Sequence, residues 1–211
     1  MFGSMCASAP RYMAETSGAC DGAVMQTRGL LAGTKVATAM GWRGVEALAP
    51  GDQVLTFDRG LQPLVEVTRQ TFWVADMMAP AAYASVHVPA GALGNSVDLE
   101  LLPDQGVLVE TDAACDAYGD PFAVIAASAL VGYRGISRVP PRTQIEVITL
   151  IFARAEVVYA AGGALAHCPR AQVQLSELGR DVGGYDVVPA RDAAFLVDCM
   201  KLEAATFGAC A

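Results

Sequence analysis

His87 and His167 are the two histidines of this chain of 211 residues, and His167 is followed directly by Cys168. An imidazole beside a thiol can do nucleophilic chemistry, because the imidazole takes the proton and the thiolate attacks a carbonyl. Here the carbonyl within reach would be that of His167 itself. The plainer reading of the pair is a surface turn before Pro169. His87 lies in an alternating run and reads as a packed or edge-strand side chain, and Asp104, after Pro103, reads as a turn cap. The six cysteines, Cys6, Cys20, Cys115, Cys168, Cys199 and Cys210, form no CxxC pair and no metal-ligand spacing, so neither a metal nor a cofactor is expected. Their even number permits disulfides. With no export signal in view, reduced and mostly buried thiols are expected instead.

Composition narrows the classes of function. Hydrophobic residues make up 54% of the chain and charged residues 17%, with a mean hydropathy of +0.38, which is far from a disordered composition. The net charge of −8 provides no basic footprint, so a nucleic-acid partner is not expected. The longest uncharged stretch, residues 77–97, is interrupted by Pro80, Pro89, Gly91, Gly94 and Asn95, so no membrane span is expected either. The first residues lack a basic segment followed by an apolar one. A soluble, cytoplasmic protein is the default expectation, although non-classical export would leave no such mark.

The elements that must position these residues read as short strands and tight turns. Residues 1–26 have no clean period and read as an extension. From Thr34 onward, alternation predicts strands at 34–38, 53–57, 61–67, 85–88, 97–102, 107–110, 146–152 and 156–160. Pro50-Gly51-Asp52 is a strong turn signal, since Pro fixes φ, Gly frees it and Asp bonds nearby amides. Residues 123–130 fit a buried helix as well as a strand, which periodicity does not resolve. Residues 191–205 carry Ala194, Phe195, Val197, Met200 and Leu202 near helical spacing, with Asp192 as a cap. Trp42, Phe72 and Trp73 are expected in the core, and Met77, Met78, Pro80 and Tyr83 in an exposed loop. The reading is a mostly β domain over 27–168, with a helical segment over 169–211 packed on it.

Three segments carry a resemblance to a known family. Gly33-Thr34, then Val45-Glu46-Ala47-Leu48, then Gly51-Asp52-Gln53-Val54-Leu55-Thr56 are similar in order and spacing to the opening of Hint domains. These are the hedgehog/intein autoprocessing fold, and the bacterial branch is the most similar. Residues 89–95 and 101–109, and more weakly 148–163, resemble later segments of the same family. The resemblance implies a mostly β fold of many short strands, ending here in a short C-terminal helix. It also implies an acyl shift begun by a thiol or hydroxyl at the domain's start and assisted by a histidine downstream.

Neither group stands where the resemblance places it. The nucleophile position falls on Gly29, the Thr/Ser position on Leu102 and the histidine position on Gln105. Thr149 and Ala155 occupy positions where the family often has histidine, and Ala153 one where it often has Asp; Arg154 and Glu156 remain. Glutamine donates a hydrogen bond but does not deliver a proton near neutral pH. The first expectation is therefore a degenerate Hint domain that does not autoprocess and acts as a scaffold or interaction module for a protein partner. The second is autoprocessing by a displaced nucleophile, with the His167-Cys168 pair as candidate. The third is a component of a toxin, adhesin or phage-like particle. Neither the partner nor the oligomeric state is legible in the sequence.

Overall fold

The computed structural model describes residues 19–20, 23–24, 27–73, 84–140, 142–171 and 185–208. The loop expected at Met77, Met78, Pro80 and Tyr83 lies outside them, as do the side chain of Trp73 and most of the 1–26 extension. In that extension, β1 (Ala19–Cys20) and β2 (Ala23–Val24) pair as a small hairpin.

Two sheets make up the rest. One contains β3 (Leu30–Leu31), β8 (Glu66–Trp73), β9 (Ser85–Val88), β10 (Leu99–Leu101), β13 (Ser137–Val139) and β14 (Gln144–Ile151), in the order β13-β9-β10-β3-β14-β8. The other contains β4 (Lys35–Thr38), β5 (Gly41–Gly44), β6 (Gln53–Thr56), β7 (Gly60–Pro63), β11 (Gly106–Glu110), β12 (Phe122–Ala126), β15 (Glu156–Ala160) and β16 (Ala164–Cys168). Its path is β12-β11-β16-β15-β4-β6-β7, with β5 on β4. Period-2 burial packs the sheets together. Leu30, Leu101 and Ile148 from the first share one core with Val36, Val158 and Ala160 from the second. The strands expected at 53–57 and 61–67 pair as the β6–β7 hairpin, joined through Asp58-Arg59-Gly60.

Several local expectations change. Val45–Ala47, between the expected strands, forms a 3-10 turn. The ambiguous 123–130 segment divides into β12 and a 3-10 turn, Ala127–Leu130. β9 lies between β13 and β10, so His87 is half-buried on an interior strand rather than an edge one. Trp42 is 47% exposed, because β5 presents it away from the core residue Val36. Of the described thiols Cys168 is buried, Cys199 half-buried and Cys115 exposed, so burial is less general than expected.

The helices also differ in detail. α1 (Asp112–Tyr118) had no counterpart in the sequence reading, although Thr111 caps it through the Ala113 amide and Gly119, at φ 76°, closes it. α2 runs Ala190–Gly208. Asp192 sits inside its first turn rather than capping it, and its amide donates to the Pro189 carbonyl. The buried stripe of α2 is Ala193, Leu196, Val197 and Met200, and it joins the main core. Phe195 and Leu202 are exposed. Among the described residues, no helix is long and apolar enough to cross a membrane.

Candidate functional site

β3 is so short that its start and its end both matter. Just before it, Gly29 has a φ of +125°, a backbone conformation that side chains rarely adopt. β14 crowds it further. A Cβ built there would stand 2.6 Å from Val147 Cγ1, 3.1 Å from Thr149 Oγ1 and 3.3 Å from the Ile148 carbonyl. The amide of Gly29 donates to Gln105 Oε1 at 2.9 Å. Positions 29 and 105, 76 residues apart in the chain, are therefore direct hydrogen-bond partners.

Gln105 spends every polar arm inside the protein. Its Nε2 donates to the Gly106 carbonyl at 2.9 Å and to the His167 carbonyl at 2.8 Å, while the Oε1 accepts from Gly29. The residue is 3% exposed, so each bond offsets a desolvation cost of about 1–3 kcal/mol for a group left unmade. The preceding residue adds a fourth tie: the Asp104 amide donates to the Thr27 carbonyl at 3.0 Å. Asp104 contributes here through its main chain. Three segments far apart in sequence, 27–29, 104–106 and the end of β16, meet at this glutamine.

His167 and Cys168 lie in strand β16, not in a surface turn, because β16 pairs with β15 along its whole length. The imidazole of His167 has an enclosed Nε2 with no hydrogen-bond partner. Burial, followed by the positive charge of Arg28, holds its pKa below the usual 6.5, and Asp186 opposes that shift. Gly106 makes room for it: a Cβ on Gly106 would come within 3.0 Å of His167 Cβ. Cys168 faces the core. It is 2% exposed, and burial pushes its thiol up to about 12. A thiol with that pKa supplies almost no thiolate near neutrality.

Gly29, Gln105, Thr149, His167 and Cys168 all border one cavity of about 380 Å³. Leu102 does not; it is fully buried in a small cluster with Ile145 and Val147 and contributes its carbonyl to the Gln105 amide. Arg28, Gly106 and Asp186 act on this site and were missed in the sequence. Arg28 was adjacent to a named position. Nothing local marks Gly106 or Asp186, whose roles depend on strand register and on the chain's return at Tyr185. Glu156 stands directly opposite Cys168 in the β15–β16 register, and its buried carboxylate pairs with the half-exposed Arg59. Arg154 and Ala153 are exposed at the preceding turn. Among the described residues, no three His, Cys, Asp or Glu side chains gather as a metal site would require.

Comparison with known proteins gives a consistent answer. No curated protein matches the chain. Solved structures that resemble it include a splice-inactive variant of the AceL NrdHF class 3 split intein, at 17% identity and a TM-score of 0.39, covering 68% of this chain and 99% of that one. The gp41-1 intein is similar at 14% identity and 0.40, covering 66% and 98%. A bacterial intein-like domain from Clostridium thermocellum is similar at 13% identity and 0.39, covering 66% and 98%. The family model described as "Hint domain" matches residues 28–166, more than half of the chain, from just before the crowded glycine into β16. The chain belongs to the Hint domain family.

Proposed function

We propose that this Hint domain does not autoprocess and serves as a scaffold or interaction module for a protein partner. The observation that carries the reading is the Gly29–Gln105 hydrogen bond. The position to which the resemblance assigns the nucleophile has no side chain, and the position it assigns to the proton donor holds an amide with all its arms engaged. A residue that replaced catalysis with packing has this form: it is buried and fully bonded. Fold membership alone does not assign activity, so the binding role is argued by elimination.

The competing reading, autoprocessing from Cys168, is opposed by that thiol's burial and its raised pKa. Intact mass spectrometry of purified protein after long incubation, with and without excess thiol, separates the two. One unchanged species near 21.9 kDa is expected. Fragments with a terminus at Gly29 or Cys168 would overturn the proposal.

A further inference from the structure

The cavity around Gly29 and Gln105 has one wall unlike the others. Opposed residues of paired strands share a face, so His167, opposite Val157, lies on the same side of the sheet as Val157. Val157 packs there with Phe57, Phe122 and Leu165, together with Tyr185 and Val187 of the returning chain. Cys168, the next residue along β16, faces the main core on the other side. The segment 185–188 thus covers the outer face of this sheet, and Val187 and His167 border the same cavity of about 380 Å³.

The walls are held unequally. The Gly29 and Gly106 side is fixed by the bonds of Gln105, and β11, β15 and β16 by pairing with one another. Among the described residues, two hydrogen bonds hold segment 185–188 to the sheet. The Val188 amide donates to the Val124 carbonyl at 2.8 Å, and the Tyr185 hydroxyl donates to the Asp58 carboxylate at the β6–β7 turn. After it, α2 is anchored separately, through Ala193, Leu196, Val197 and Met200 in the main core. A wall with so few bonds is the one that opens locally.

His167 gives that wall a trigger. Its enclosed Nε2 has no hydrogen-bond partner. A neutral imidazole bears that omission at moderate cost. An imidazolium must donate from both nitrogens, and a buried charge left unpaired costs far more. Burial and the positive charge of Arg28 oppose the charged form, while Asp186, on the segment itself, favours it. Asp104 borders the same cavity, and Glu156 with its partner Arg59 stands opposite the protonated Cys168 thiol.

We propose that residues 185–188 form an acid-released strap. A proton taken from solvent at His167 Nε2 drives the strap off the sheet, admits water to the ring and uncovers the apolar face of Phe57, Phe122 and Leu165. β16 and α2 stay in place. The inference stands whether or not the domain autoprocesses.

Amide hydrogen exchange on the full chain tests it, read as protection factors so that the intrinsic pH dependence of exchange cancels. Lowering the pH from about 7.5 to about 5, across the ordinary imidazole range, should cut protection at the Val188 amide severalfold, while the amides of β15 and α2 keep theirs. Binding of an apolar dye should rise over the same range without loss of far-ultraviolet circular dichroism. Tyr185→Phe removes one anchor and should lower Val188 protection at every pH, with the drop retained. Asp58→Asn removes the carboxylate from that anchor and should also retain the drop. His167→Gln does not titrate and should abolish it. Arg28→Gln, at an exposed position, relieves the charge beside the ring and should shrink it. The proposal is overturned by Val188 protection that ignores pH, or by a drop that persists in folded His167→Gln or vanishes in Asp58→Asn. It is also overturned by unchanged dye binding, or by loss of protection in β15 and α2 at the same pH. If His167→Gln does not fold, an unchanged drop in Arg28→Gln overturns it.

Discussion

The two hollows of this domain lie at opposite ends of one strand that is two residues long, and they have been treated in opposite ways. At the start of β3, around Gly29, the cavity of about 380 Å³ is tied shut by Gln105, whose three hydrogen bonds join β3, β11 and β16. At its end, beyond Leu31, a cavity of about 690 Å³ is bordered by residues of β10 and β14 and by the Arg142–Glu100 ion pair. The difference separates a hollow closed by buried hydrogen bonds from a larger one whose border carries a surface ion pair. A fully bonded amide in the interior stabilises, whereas an exposed ion pair contributes little.

If this contrast holds, substitutions at the closed end should cost stability and those at the open end should not. The largest effect is expected at Gly29. Gly29→Ala adds a Cβ against Val147 at a φ of +125°, which should destabilise by roughly 3–5 kcal/mol from strain and overpacking together. Urea denaturation measures it, and wild-type stability would show that the start of β3 is not clamped. The same crowding means that Gly29→Cys cannot restore a nucleophile without moving the backbone. Gln105→Ala comes next. It strands the Gly29 amide and the His167 carbonyl and leaves a void, for an expected loss of about 2–4 kcal/mol on the same measurement.

pH sharpens the comparison without substitution. The Cys168 thiol, raised to about 12, stays protonated in the fold while the unfolded thiol ionises near 9.0. The folded state then binds more protons than the unfolded one, so stability falls as pH rises from about 9 towards 12. Cys168→Val should flatten that limb of the melting-temperature profile. His167 has the opposite sign. Its pKa is lowered in the fold, so the unfolded state binds more protons below 6.5, and stability falls as pH drops through that value. A His167→Gln variant that kept the same acid slope would assign the effect to another group. The smallest effect belongs to the open end. Glu146→Lys and Trp42→Ala should shift stability by no more than about 0.5 kcal/mol, because both side chains are exposed. A loss of several kcal/mol would mean that this end is braced as firmly as the other.

Much of the fold was legible from the chain. The β6–β7 hairpin follows from alternation around Asp58-Arg59-Gly60, and β15 and β14 from runs of β-branched residues. Errors fell where two local patterns compete. Phe195 looked like part of the helix face, but the packed stripe keeps Val197 and Met200, adds Ala193 and Leu196, and leaves Phe195 and Leu202 outside. Trp42 looked like core because tryptophan is large and apolar; strand β5 places it on the outside. α1 was missed because seven residues are too few for a period to stand out, although Thr111 and Gly119 marked both of its ends.

By itself, the sequence determined which atoms are present. No thiol or hydroxyl stands at position 29 and no imidazole at 105, and no folding supplies a missing functional group. It also determined the strand texture and the family, since turn residues and alternation act over a few neighbours. Tertiary structure decided what the remaining residues became. Gln105 is a clamp because register brings Gly29 and His167 within hydrogen-bond reach of one side chain across 76 and 62 residues of chain. Cys168 is buried, with its thiol pushed up to about 12, because it faces the core, and the hollow beyond β3 is walled by residues brought together from β3, β10 and β14. Contacts of that range depend on the packing of whole sheets, which local composition does not encode.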